Sequence, residues 1–385
     1  MPKQPWWENL EANFHKFPDD FYLDLRTQFL VESTAWLDLA LRTAAATFVG
    51  LTAIPGTLRP RKLREDLADI AFYLDRLDPS DPGRFFESPR RMPVVLCSPA
   101  RMGLFQPTGG ARVLLRFESP FVPVNPRLRK RFARFRRNRI AHAEYWRHDA
   151  GPRPTICVIH GFMADPYWIN SRFLALPWFF KKGYDILLYT LPFHGARQER
   201  TSLFSGHGYF SGGVAQINET VAQSIHDFRI FLQYLFELGA PAVGVTGISL
   251  GGYTTALLAA VEERLAFAIP NVPVVSLVDL IFQWFPAGTL VKVLLRLGDI
   301  SVIEARRAMA VHCPLTYPPR LPRDRLMIIG GAGDRLAPPK HARILWDHWD
   351  RCRIHWFPGN HVLHLDQGKY LKEMRRFMEG IGFVP

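Results

Sequence analysis

Cysteine is scarce in these 385 residues: Cys97, Cys157, Cys313 and Cys352 are widely separated and form no C-x-x-C pair. That excludes a disulfide framework and a zinc pattern of the usual spacing. Cys157 lies in a strand-like apolar run, where a reduced core thiol is expected. The start of the chain, Met-Pro-Lys-Gln-Pro-Trp-Trp-Glu-Asn, lacks the apolar core and small-residue cleavage site of a secretory signal. A reducing, cytoplasmic setting is therefore the expectation. Ala35 to Ile54 is strongly apolar and ends at Pro55-Gly56, but Asp38 and Arg42 inside it argue against a membrane span. A buried helix, or one lying on a membrane, fits it better. No internal repeat is evident.

Acids are absent between Arg127 and Arg139, where eight cations fall (Arg127, Arg129, Lys130, Arg131, Arg134, Arg136, Arg137, Arg139). Removing those eight from the formal charge of +13 leaves only +5 for the rest. The basicity is one local feature, not a field over the whole protein. Leu128, Phe132, Phe135 and Ile140 alternate with these arginines at spacings of four, three and five, which suggests a cationic amphipathic helix. Such a helix can make peripheral contact with an anionic membrane through 127–139, or brace the N-terminal part through acidic neighbours. No nucleic-acid-binding module accompanies the segment, and nucleic acid is not an expected partner.

Residues 1–92 read as a helical N-terminal extension. Leu63, Leu67, Ile70, Leu74 and Leu77 mark an amphipathic helix within Arg59–Asp78, and the turn-rich stretch from Asp78 to Pro93 makes a boundary. From residue 93 to 385 the pattern becomes α/β. Strands are predicted at Arg112–Glu118, Ala141–Arg147, Thr155–His160, Asp185–Thr190, Ala242–Thr246, Leu265–Pro270, Leu326–Gly330 and Arg353–Phe357. Helices are predicted at Pro166–Lys182, Gln216–Leu238, Tyr253–Glu263, Pro338–Trp349 and Leu365–Ile381. Near-continuous apolar strands joined by helices imply a mostly parallel central sheet with helices on both faces.

Within this frame, Gly247-Ile248-Ser249-Leu250-Gly251 sits between a predicted strand and a predicted helix. G-x-S-x-G in that context is the signature of a turn sharp enough to expose the serine hydroxyl, with glycines where side chains would collide. On its own the pattern occurs by chance in roughly one sequence in eight of this length, taking average glycine usage. Two further loops change the odds. Asp334 lies on the Gly-rich stretch after one strand and His361 on Pro358-Gly359-Asn360-His361 after the next, giving the chain order Ser249, Asp334, His361. A serine nucleophile needs a base, and the base needs a carboxylate to orient it. His364 lies one helical turn beyond His361 and could compete, whereas His355 falls within a strand. Oxyanion donors would be the backbone N–H groups of Leu250 and Phe162, the latter in His160-Gly161-Phe162-Met163, with Met163 as the alternative. His160 would brace that loop.

These motifs, together with Pro192-Phe193-His194-Gly195-Ala196-Arg197, resemble the α/β-hydrolase fold superfamily in its serine esterase and lipase-like branch. The resemblance covers roughly residues 110–385, and the helical region before it has no counterpart in the minimal fold. It implies an α/β architecture with a helical lid insertion at about 272–324, to which residues 1–92 add the N-terminal helical extension. It also implies hydrolysis of a carboxylic ester or thioester through an acyl-enzyme, with no cofactor and no metal. Leu277–Phe285 and Leu290–Leu297 are strongly apolar, which fits either an apolar acyl group or lipid as the small-molecule substrate or side chains that pack the lid onto the body. The residues expected to touch substrate are Met163, His194, Tyr209, Phe282 and Trp284. An acyltransferase using the same triad, or a non-catalytic protein that binds lipid or a membrane surface, stays open at this point.

Overall fold

The computed structural model describes residues 5–11, 14, 24–52, 69–100, 105–163 and 165–385. Nine strands form a single sheet: β1 (Leu96–Pro99), β2 (Gly110–Glu118), β3 (Ile140–His148), β4 (Thr155–Ile159), β5 (Asp185–Thr190), β6 (Val243–Ile248), β7 (Ala268–Asn271), β8 (Met327–Gly331) and β9 (Arg353–Phe357). Their spatial order is β1-β2-β3-β5-β4-β6-β7-β8-β9. The β1–β2, β2–β3 and β3–β5 pairings are antiparallel, and every pairing from β5 to β9 is parallel.

Strands β4 to β8 are buried throughout, whereas β9 at the sheet edge is only partly covered, and alternate residues serve opposite faces. Cys157, Ile159, Leu187, Tyr189 and Ile328 pack one way, against helices at Val214–Glu237, Leu250–Val261 and Pro339–His348. Ile156, Val158, Ile186, Leu188, Met327 and Ile329 pack the other way, against helices at Tyr167–Phe173, Leu176–Lys181 and Gln367–Gly380. Each such side chain contributes about 1.5–3 kcal/mol by leaving water. The single helix predicted over Pro166–Lys182 is in fact two. The chain turns at Leu174–Ala175, where Ala175 has φ 50, and Pro177 opens the second helix. A proline there removes a helical N–H and clashes with the preceding turn.

The cationic helix expected over 127–139 does not form. Residues 126–128 make a 3-10 turn capped by Asn125, Arg129–Phe132 make one helical turn, and the rest is turn. Leu128 and Phe132 point into the core, so they are not available as an outward apolar stripe. Asn138 is buried, donating to Gln223 Oε1 at 2.8 Å and accepting from the Phe193 N–H at 2.9 Å. Arg127 pairs with Asp69, Arg139 with Glu118, and the Arg137 N–H bonds Glu199. Anchoring inward side chains on both sides of the segment leaves no room for a regular helix.

In the N-terminal region, helix α1 spans Leu25–Thr52, starting ten residues before the expected run. One face is buried through Val31, Asp38 and Ala46, while Leu25, Phe29 and Trp36 stay exposed. Much of the helix predicted within 59–78 lies outside the described residues, and 69–74 are helical. Between β7 and β8 come three more helices, α2 (Leu277–Gln283), α3 (Ala287–Leu297) and α4 (Val302–Ala308). Ala46 of α1 packs with Ala287, Trp284, Val291 and Leu294 of this insertion. No single described helix is long and apolar enough to cross a membrane. The α2–α3 pair passes on composition only when joined across a bend of 114°.

Candidate active site

Ser249 stands between the end of β6 and the helix Leu250–Val261, with φ 56 and ψ −111. That region of backbone is costly for any residue with a side chain, by about 1–3 kcal/mol. It persists because its neighbours fix it from both sides. The Ser249 N–H donates to Asn271 O at 3.0 Å and its carbonyl accepts from the Tyr253 N–H at 2.8 Å. A Cβ on Gly247 would stand 2.5 Å from Gly251 O, and one on Gly251 would run into the Ile159 carbonyl. Both glycines are therefore steric requirements of the turn, while Ser249 itself stays half-buried at the sheet edge.

The loop after β4 closes on the same point. A Cβ on Gly161 would lie 3.5 Å from Ser249 Cβ and 3.4 Å from Ile248 O. His160 braces this loop from below. One ring nitrogen, Nδ1, is 2.8 Å from Gly161 O, and Nε2 accepts from the Leu191 N–H at 3.0 Å. Burial drives its pKa down, so the ring is neutral with its proton on Nδ1. The Leu250 N–H opens a helix, where it has no intrahelical acceptor. Among the described residues, neither the Leu250 nor the Phe162 N–H donates to a backbone carbonyl.

Asp334 and His361 meet across two loops. His361 Nδ1 is 2.6 Å from Asp334 Oδ2, and Asp334 Oδ1 accepts from the Ala337 N–H at 2.7 Å. The Gly333 N–H donates to Gly359 O at 2.7 Å, fastening the loop after β8 to the loop after β9. Both side chains are buried. Burial alone would lower the imidazole pKa; the Asp334 charge and hydrogen bond, with a further push from Asp38, more than offset it, and the value is raised. His364 does not compete. It sits against Phe173 and Phe357, bonds Tyr370 and the His361 carbonyl, and burial pushes its pKa down to about 3. Ser249 and the Asp334–His361 pair share the carboxyl edge of the sheet, but no hydrogen bond joins the Ser249 hydroxyl to His361 in this structure. Such bonds are often loose in empty sites and tighten with substrate.

No family model matches the chain. Uncharacterized proteins of Mycobacterium tuberculosis, strains H37Rv and CDC 1551, are each 28% identical to it over 259 residues, covering 65% of this chain. The match spans 58% of those relatives' length. Among solved structures, acetyl xylan esterase 1 from Thermoanaerobacterium sp. JW/SL YS485 aligns with TM-score 0.53 and 17% identity, over 84% of this chain and 99% of that one. The acetyl xylan esterase from Paenibacillus sp. R4 aligns with TM-score 0.56 and 13% identity, over 82% and 92%. At such identities the likeness is one of fold. The fold is that of the α/β-hydrolases.

In this α/β-hydrolase fold the residues expected to touch substrate scatter. Met163 is exposed, with φ 60. His194 and Tyr209 are fully buried behind Phe162 and leave no surface for a ligand, which corrects the expectation that they touch substrate. His194 Nδ1 lies 2.9 Å from Pro192 O, and burial holds the ring well below the ordinary histidine pKa. Phe282 is half-buried under the Lys292 ammonium. Trp284 donates from Nε1 to Leu336 O at 3.2 Å, tying the helical insertion to the Asp334 loop. Among the described residues no group of His, Cys, Asp or Glu is placed to hold a metal ion.

One residue at this edge escaped the sequence reading. Asp38 of α1 is fully buried, and its Oδ2 accepts from the His361 N–H at 2.8 Å and the Arg335 N–H at 3.0 Å. Its only signal was a carboxylate and a guanidinium, Asp38 and Arg42, one turn apart inside an apolar run.

Proposed function

We propose that this chain is a serine hydrolase that cleaves carboxylic esters or thioesters through Ser249, His361 and Asp334. The observation that carries the reading is the 2.6 Å contact between His361 and Asp334 at the same sheet edge as the strained Ser249 turn. Asp334 accepts the Nδ1 proton, so the Nε2 lone pair is the one free to act as base. His361 takes the Ser249 proton as Oγ attacks the carbonyl carbon, and Asp334 stabilises the imidazolium. The oxyanion receives the Leu250 and Phe162 N–H groups, each worth a few kcal/mol of barrier. His361 then protonates the leaving alkoxide or thiolate, leaving an acyl-enzyme. Water attacks the acyl carbon, gives its proton to His361, and the acid departs as Ser249 is restored.

Esters are favoured as the bond cleaved because the two structural neighbours are esterases by name. An apolar acyl group is favoured by the insertion between β7 and β8, which we read as a lid over 272–324; Phe285, Leu290, Val293 and Leu297 on it are exposed. Residues 1–92 form the extension in this reading and 93–385 the hydrolase domain. The test is a panel of p-nitrophenyl esters of graded acyl length, assayed with the protein and with Ser249→Ala. Turnover that needs Ser249 and prefers medium or long chains supports the reading. Turnover unchanged in Ser249→Ala, or none on any ester, overturns it. Product analysis with added alcohols separates hydrolysis from acyl transfer.

A further inference from the structure

We infer that Asp38, carried by the N-terminal helix, is a positioning residue of the catalytic edge, holding the Asp334 and His361 loops in register through their backbone and supporting the imidazolium with its charge. This rests on the serine-hydrolase reading and extends it to a part of the chain that the minimal fold does not contain.

The geometry is specific. One oxygen, Asp38 Oδ2, receives two N–H groups from two different loops, Arg335 next to the acid and His361 itself. Three further contacts run along the same face of α1. The Arg42 guanidinium donates to Arg335 O at 3.1 Å, Asn360 Nδ2 donates to Thr34 O at 2.5 Å, and a Cβ on Gly333 would meet Val31 O at 3.2 Å. Val31, Thr34, Asp38 and Arg42 follow steps of three and four, one stripe of a helix. That stripe does not pack on hydrophobic neighbours alone; it is bonded to the residues on either side of the triad pair.

A carboxylate is an odd choice for a purely structural clamp. Asp38 is fully buried, and its other oxygen, Oδ1, has no hydrogen-bond partner among the described residues. Burial, then the nearby Asp334 charge, pushes its pKa up to about 6, against the pull of His361 and the two N–H bonds. The charged groups facing it are Asp334, Arg335 and His361 from the loops and Arg42 from its own helix. Ionised, it favours the protonated form of His361, the form created when Ser249 gives up its proton.

The test compares Asp38→Ala with Asp38→Asn in the full chain, reading kcat, KM and the pH profile on a p-nitrophenyl ester. Asp38→Ala removes the acceptor and is expected to lower kcat by about tenfold to a hundredfold with KM within about twofold, as small misplacements at a catalytic group do. Asp38→Asn keeps an amide oxygen for both N–H groups. It is expected to restore kcat to within about threefold at pH 8 and to move the acid limb of kcat/KM to lower pH, since one of the two charges that raise the His361 pKa is gone while Asp334 stays. Should Asp38→Ala fail to fold, the Asp38→Asn profile decides alone. An Asp38→Ala enzyme with kcat within twofold of the parent, or an Asp38→Asn acid limb that does not move, overturns the inference. Ester turnover that survives Ser249→Ala would sink the proposed function itself, whereas an inactive Ser249→Ala beside an indifferent Asp38→Ala sinks only this step.

Discussion

His361 Nδ1 stands 2.6 Å from Asp334 Oδ2, a contact made between residues 27 positions apart on loops that follow adjacent parallel strands. The carboxylate has its second oxygen engaged by the Ala337 N–H, so it cannot swing away from the ring without losing a buried bond. Asp334→Asn should keep the shape but favour the wrong imidazole tautomer. The expected outcome is a fall in kcat on the order of 10³-fold or more with the fold intact, read by steady-state kinetics and circular dichroism.

The same contact sets a pH dependence. His361 has a raised pKa, and in the proposed mechanism it must be neutral to accept the Ser249 proton. The acid limb of kcat/KM should therefore lie above the ordinary histidine value of about 6.5. Stability runs the other way. A raised folded-state pKa contributes stability that is complete below the unfolded value and is lost as pH rises through the folded one. Across the window from about 6.5 upward, the Asp334–His361 contribution to thermal stability should decline while activity grows. A His361→Gln variant should lack both trends.

The turn at Ser249 holds strained backbone, and the proposed activity depends on the serine it carries. Ser249→Gly should remove the side-chain penalty of φ 56, offset in part by the greater entropy of glycine in the unfolded chain. A net gain of about 1 kcal/mol in urea unfolding, with activity abolished, is the expected result. Gly251→Ala should do the opposite, because its new methyl meets the Ile159 carbonyl in the neighbouring strand. A loss of about 3 kcal/mol or more, or failure to fold, follows from overpacking against backbone.

Away from the site, Arg197 and Asp227 form an ion pair with both side chains fully buried, at 2.7 Å. Arg197 also donates to Asn138 O, and Ser119 Oγ donates to Asp227 at 2.5 Å, so the pair knits together the loop after β5, the 127–139 segment and the long helix Val214–Glu237. Asp227→Asn leaves a buried guanidinium without its counter-charge. It should cost about 3–5 kcal/mol, measured as a fall in Tm.

How much of this was legible in the sequence depended on how local the cause was. Asp185–Thr190 and Arg353–Phe357 form strands at the predicted bounds because short apolar runs between turn signals admit little else. The Ser249 turn was legible because its glycines fall between a strand and a helix; the collision at Gly247 lies within five residues, whereas the one at Gly251 is with Ile159 of another strand. The Asp334 and His361 loops were legible in order, though that order carries no distance. By contrast, the helix expected over 127–139 failed because Leu128, Phe132 and Asn138 are drawn inward by partners such as Gln223 and Phe193, far along the chain. The break at Ala175 did have a signal, Pro177, outweighed by the apolar run around it. His194 and Tyr209 look like site residues by motif and prove to be buried by rings that periodicity does not report. Asp38 was visible only as a charge that disfavoured a membrane span. Its partners lie about 300 residues away, and no local pattern names them.

The most direct measurement is labelling with a fluorophosphonate, followed by mass spectrometry of the peptide that holds Ser249. One phosphonyl group on Ser249, lost in Ser249→Ala and slowed by at least about 10³-fold in His361→Ala, is the result expected of a serine made nucleophilic by that histidine. An unlabelled protein, or a label on any other residue that persists in Ser249→Ala, would contradict it.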